Sequence, residues 1–274
     1  MLYGRRDFFG ISAAASIAPR DISAIRMRRV GRVETAFRSP GPHPNGLQAT
    51  AEGLWIMDQG DNKAYLVEYG GGNVIREFNT AADRASGITF DGQALWIGST
   101  YNREIICCDA RTGSTISRHF TPGAGVIYKT TWDPPQRTSP LAKKDTAPSP
   151  VPSVSSSPPQ TLGTGAHGQE WRDGKLWMAV PPSRMIYRLD PKSWIVERQF
   201  PTAGNRPHGI GWEGRFLWCT DSNLNAFFKH DPETGEIIER IQLADSDPLP
   251  HGMTIRDNVL WYCDDVGLVC KLRL

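Results

Sequence analysis

Residues 207–241 read PHGIGWEGRFLWCTDSNLNAFFKHDPETGEIIERI, and at residue 250 the chain starts the same phrase again, PHGMTIRDNVLWYCDD (250–265). Self-similarity at a fixed spacing is the strongest single clue to fold, so the repeat is measured first. Its ruler is a Leu-Trp pair, found as Leu54-Trp55, Leu95-Trp96, Leu176-Trp177, Leu217-Trp218 and Leu260-Trp261. Successive Trp residues lie 41, 81, 41 and 43 positions apart, so the unit is about 41 residues and one gap is nearly double.

Every unit has the same internal plan. A short strand opens on a small or His-Gly turn: HPNGL at 43, SGITF at 86, AHGQEW at 166, PHGIGW at 207 and PHGMTI at 250. A turn such as FDGQ or RDGK leads to a second strand carrying Leu-Trp. A polar loop precedes a third strand (AYLVEY, EIICCD, MIYRLD, AFFKHD), and turns such as DARTG and DPETG precede a fourth (VIREF, TISRHF, IVERQF, EIIERI). Turn residues between β-branched and aromatic runs specify strands, and no stretch sustains a helical period.

Four strands per 40–45 residues is the pattern of a β-propeller blade, so the fold is read as an all-β propeller. Five units are legible, and the double gap leaves room for a sixth as the alternative. The last unit stops after three strands. RVETAFRSPGPHP at 32–44 reads as the missing fourth, so the N-terminal strand is expected to complete the final blade and close the ring. Residues 134–161 hold eight Pro and little apolar pattern, which predicts an unstructured insertion. The expected organisation is an arm at 1–27, propeller at 28–133, the insertion at 134–161 and propeller again at 162–274.

Composition narrows the function. The 274 residues are 39% hydrophobic with a formal charge of +2, as expected of one globular domain with no electrostatic case for nucleic acid. No apolar run is long enough to span a membrane. Arg5-Arg6-Asp7-Phe8-Phe9, followed by an apolar run at 11–18, resembles a twin-arginine export signal and predicts a periplasmic or secreted protein. If the stretch is only a cationic arm, the protein is cytoplasmic. Cys107, Cys108, Cys219, Cys263 and Cys270 all fall in strand patterns and read as small buried hydrophobes. Because a closed ring needs no partner, a monomer is expected.

In a propeller the first strand of each blade lines the central channel, and the turns leading into it share a face with the loops between strands two and three. His43, His167, His208 and His251 fall at those turns, with glycines following, and Asp58, Asp221, Asp264, Asp265, Arg103 and Arg184 fall in the loops. Neutral imidazoles can bind a metal or move protons, though a repeated His can also brace one blade against the next. This mouth is the expected site for a small-molecule or peptide ligand.

The PHG turn with a Trp ten residues after its His resembles the virginiamycin B lyase (streptogramin lyase) family of propellers. The resemblance implies a His in such a turn, a second His one blade earlier, a Glu fourteen residues after the first, and a divalent magnesium. Here those positions are His251, His208 and Asp265, with Asp264 beside it. It implies catalytic roles for His251 and His208 and metal ligation by Asp265 and Asp264. The cofactor would be one divalent ion, Mg or Ca, with neither nucleotide nor haem. The reaction would be elimination from a cyclic ester. Two features depart from that family: Asp replaces Glu, and five blades replace seven. A second resemblance, to the five-bladed plant-type glutaminyl cyclases, rests on Tyr128 and Trp132 in GVIYKTTWDPP (125–135). A propeller that only binds a ligand or a protein, without catalysis, is the third reading.

Overall fold

The computed structural model describes residues 21–142 and 163–274, and folds them as a five-bladed β-propeller. A closing strand, β1 (Glu34–Arg38), comes first. Blade one is β2 (Pro44–Ala49), β3 (Leu54–Asp58), β4 (Lys63–Val67) and β5 (Val74–Asn79). Blade two is β6 (Ala85–Phe90), β7 (Ala94–Ser99), β8 (Glu104–Asp109) and β9 (Thr115–Phe120). Blade three is β10 (Gly168–Arg172), β11 (Lys175–Val180), β12 (Met185–Leu189) and β13 (Val196–Pro201). Blade four is β14 (Pro207–Glu213), β15 (Phe216–Asp221), β16 (Ala226–His230) and β17 (Ile237–Gln242). Blade five is β18 (Met253–Arg256), β19 (Val259–Asp264) and β20 (Leu268–Arg273), with β1 antiparallel to β20 as its outer strand. The N-terminal strand thus closes the ring. Residues 26–28 do a second job: Arg28 N–H donates to the Arg240 carbonyl and Arg240 N–H to that of Arg26, covering the outer edge of blade four.

Side chains alternate across a strand, and the Leu-Trp ruler turns that into architecture. Each Leu packs into the seam with the preceding blade and each Trp into the seam with the following one. Leu95 joins Trp55 and Met57 between blades one and two, while Trp96 joins Leu176 and Met178 between two and three. Leu217 with Trp177, Leu260 with Trp218, and Leu54 with Trp261 repeat the arrangement around the ring. All five ruler Leu are fully buried, each worth about 2 kcal/mol of apolar transfer. Cys107 and Cys108 divide in the same way between two seams, and all five cysteines are free and buried.

The glycines after the turns form the waist of the channel. A Cβ on Gly46 would run into the Ser86 carbonyl, one on Gly168 into the His208 carbonyl, one on Gly209 into Met253 N, and one on Gly252 into the Asn45 carbonyl. Gly87 faces the Gly168 backbone at 3.1 Å. Each glycine therefore packs on the inner strand of the next blade. None of the five has positive φ, so close approach, not turn geometry, demands glycine here. Gly209 N–H also bonds the His251 carbonyl across the seam. The ring of glycines leaves no space for a water. Two residues below it, Gln48, Thr89, Glu170 and Thr254 form a buried polar layer.

Candidate functional site

Above the waist the channel opens into a cavity of about 570 Å³. Its floor is set by the residues before four of the waist glycines, Asn45, His167, His208 and His251, while Ser86, before the fifth, is covered by Gln59 and Thr100. Three imidazoles thus stand side by side, with ring centroids 4.7 Å apart for His167–His208 and 4.6 Å for His208–His251, both edge-to-face. His43 also lines the cavity but lies higher, three residues before Gly46, so it is not the fourth member of that ring. Asn45 takes the place.

A repeated carboxylate explains the offset. Asp58 accepts the backbone N–H of His43 (2.7 Å), Asp221 that of Arg206 (2.9 Å) and Asp264 that of Leu249 (2.9 Å), each across fifteen residues. The other oxygen of each takes N–H groups of its own loop, from Gly60 and Asp61, from Leu224, and from Val266. These three acids clamp the turn leading into the inner strand to the loop after the second strand. Ser99 does the same for Asp83 N–H in blade two (2.8 Å). Burial raises the Asp221 and Asp264 pKa values to about 6, with Asp265 adding to the second. By this register His43, Arg206 and Leu249 are equivalent, and Arg206 is the site residue that the sequence reading missed.

At the blade-five corner, His251 Nδ1–H donates to the Leu249 carbonyl (3.4 Å), which leaves Nε2 as the bare nitrogen. Arg206 Nη2 donates to that nitrogen at 3.3 Å, and Asp265 Oδ2 stands 3.7 Å from it. Burial pushes the pKa of all three floor histidines well below the usual range, His167 to about 3, with Arg206 and neighbouring imidazoles adding to the effect. They are neutral at pH 7. Both nitrogens of His208, Nδ1 of His167 and Oδ1 of Asn45 are buried with no hydrogen-bond partner among the described residues.

A strap crosses the mouth. It leaves blade two at Gly125, which pairs with Thr164 where the chain returns, and Val126, Ile127, Lys129, Thr130 and residues 133–136 face the cavity. Arg184 holds it by two 2.7 Å contacts to Asp133 and by donating to the Tyr128 carbonyl. Arg206 Nη1 donates to the Arg137 carbonyl, Arg137 N–H to Asn223, and Ser139 O–H to Asp264. Residues 134–142, the first part of the expected insertion, run along the rim and make these contacts. Proline has little backbone freedom to lose, and polar contacts to the rim replace apolar burial. Residues 143–161 of that insertion, and the twin-arginine stretch, lie outside the described residues.

The expected site residues therefore separate. His251, His208, His167, His43 and Asp265 line the cavity. Asp58, Asp221 and Asp264 serve as clamps, Arg184 anchors the strap, and Arg103 is a left-handed turn residue whose carbonyl accepts from Thr121 N–H. His251, Asp264 and Asp265 nevertheless bring one ligand atom each within 4.8 Å of one another.

No protein-family model and no curated protein matches the sequence. Among solved structures, the glutaminyl cyclase of Myxococcus xanthus overlaps 89% of this chain and 95% of its own, with TM-score 0.59 and 9% identity. Virginiamycin B lyase of Staphylococcus aureus overlaps 84% of this chain and 66% of its own, with TM-score 0.47 and 20% identity. A streptogramin B lyase overlaps 89% and 97%, with TM-score 0.48 and 16% identity. At 9% identity the likeness to the cyclase is one of fold alone: this chain is a five-bladed β-propeller whose waist is sealed and whose one described mouth is lined by imidazoles.

Proposed function

We propose that the mouth binds a small molecule and catalyses a proton-transfer elimination on it, a carbon–oxygen lyase reaction. The observation that carries this is His251: a neutral imidazole with its Nδ1–H committed to Leu249 and Nε2 turned to the cavity corner beside a guanidinium and a carboxylate. Nε2 takes the proton α to a carbonyl, the carbon–carbon double bond forms, and the β carbon–oxygen bond breaks. His208, whose two nitrogens have no other partner, donates its ring N–H as a hydrogen bond to the departing oxygen, and the proton taken up by His251 passes to that oxygen to reset the base. Arg206 adds positive charge to the side of the cavity where the enolate forms. The strap limits water in the cavity. Export to the periplasm, on the strength of Arg5-Arg6, is part of the same proposal.

A second reading adds a divalent ion, favoured by the approach of His251, Asp264 and Asp265. The donor set suits Mg or Ca, and the fit requires Arg206 Nη2 to leave its position 3.3 Å from Nε2. Bound there, the ion would polarise the same carbonyl.

The test is a screen of cyclic esters and lactones for the new double bond by ultraviolet absorbance, with metal content measured on protein purified without chelator. Turnover that His251→Ala abolishes while the fold persists supports the lyase. Binding without turnover by any ester makes the propeller a non-catalytic receptor. One tightly held divalent ion, lost in Asp265→Ala, supports the second reading.

A further inference from the structure

Arg206 is a charge without a direct ion pair: Asp265 and Asp221 favour it only from longer range, against the cost of its burial. It is only half exposed, and its named hydrogen bonds go to two neutral acceptors, the Arg137 carbonyl and His251 Nε2. Among the described residues no carboxylate lies within 4.0 Å of it; most other part-buried Arg have one, and the two that do not, Arg84 and Arg240, rest on Tyr101 and on Gln242 at the surface of the disc. Arg28 has Glu213 and Glu239, Arg184 has Asp133, Arg188 has Glu197 and Arg198 has Glu233. Asp221, the nearest acid in the chain's own register, spends one oxygen on the Arg206 backbone N–H and the other on Leu224 N–H. A desolvated guanidinium that lacks its ion costs stability, and a cavity wall is where a ligand can supply it. Lys129 on the strap adds a second cation facing the same cavity, itself without an ion pair among the described residues. The floor below offers the unpartnered nitrogens of His208 and His167.

Resting on the reading of the mouth as a ligand site, we infer that its ligand carries an oxyanion, a carboxylate or a phosphate, which pairs with the Arg206 guanidinium. The fork geometry of Arg suits either group bidentately. The pairing has a second effect. Arg206 now donates to His251 Nε2, so an anion that draws the guanidinium away bares the nitrogen assigned as base. The anionic part of the ligand would then switch on the site that acts on the rest of it.

The experiment titrates the full chain with succinate, dimethyl succinate and inorganic phosphate at low ionic strength, by calorimetry and by imidazole NMR. At least one of the two oxyanions binds saturably, shifts the His251 signals and leaves those of His119, on blade two, in place. Succinate alone identifies the carboxylate, phosphate alone the phosphate. Arg206→Gln weakens the binding at least tenfold, and Arg215→Gln, an exposed cation, leaves it unchanged. Dimethyl succinate binding as tightly as succinate, with His251 shifted, overturns the oxyanion and leaves the mouth as a ligand site. If none of the three probes shifts the imidazoles, both readings fall. Should Arg206→Gln not fold, the wild-type NMR arm decides alone. Anion binding that spares the His251 signals sinks the inference.

Discussion

Asp221 holds the backbone N–H of Arg206 at 2.9 Å, and through it fixes the turn that aims the Arg206 side chain at His251. Asp221→Ala removes a buried acceptor and strands two backbone donors, a loss of about 2–3 kcal/mol. Denaturant unfolding measures it. Asp221→Asn keeps one acceptor oxygen and should lose less. If the alanine variant is as stable as wild type, the clamp is not holding the turn.

The glycine waist makes a sharper claim. Gly168→Ala and Gly209→Ala each drive a methyl into the backbone of the next blade, which cannot move aside as a side chain would. Both should cost about 3 kcal/mol or more, at the upper end of overpacking effects. Gly31→Ala, which meets nothing within 4 Å, is the control and should leave the melting temperature in place.

Phe37 is the anchor of the closing strand, buried against Trp261 with ring centroids 6.4 Å apart. Phe37→Ala should lose about 3 kcal/mol, and deletion of residues 30–40 should leave no cooperative melting transition. A deletion variant that still melts cooperatively at an unchanged temperature would refute ring closure by β1.

The stability profile should fall on both the acid and the alkaline side. The floor histidines have folded pKa values far below the unfolded value near 6.5, so below that pH the unfolded chain binds more protons. Stability is complete above pH ~6.5 and falls as pH drops, by up to about 1.4 kcal/mol per pH unit for each histidine. Glu170 runs the other way. Burial lifts its pKa from 4.5 to about 8, so the folded chain holds the extra proton and stability drains as pH rises from 4.5 through 8. Glu170→Gln should gain on wild type between pH 5 and pH 9 in thermal melts, and His208→Asn should flatten the acid limb.

Much of this was legible in the sequence. The Leu-Trp ruler carried the blade number through its spacing, and the burial of the five cysteines followed from their strand patterns. The closing strand followed from counting only three strands after Pro250. Side-chain roles were harder. His43 and His208 look alike in sequence, each opening a turn, but only counting back from the waist glycine separates them, and one extra turn residue changes which ring a side chain joins. Arg206 was hidden because the fifteen-residue clamp register is a hydrogen-bond pattern, invisible until Asp58, Asp221 and Asp264 are seen doing one job. The contacts of the strap with the rim, at Arg184, Arg206 and Ser139, leave no mark in a composition that resembles a linker.

The waist has a practical consequence for anyone redesigning this protein. It is built from main chain, with the smallest residue already at each of its five positions, so no substitution can bore through it. Whatever enters by the mouth must leave by it, past the strap. Changing what the cup accepts is therefore a matter of rewriting its rim and walls, while the underside of the disc can be re-surfaced, tagged or fused without opening a second door.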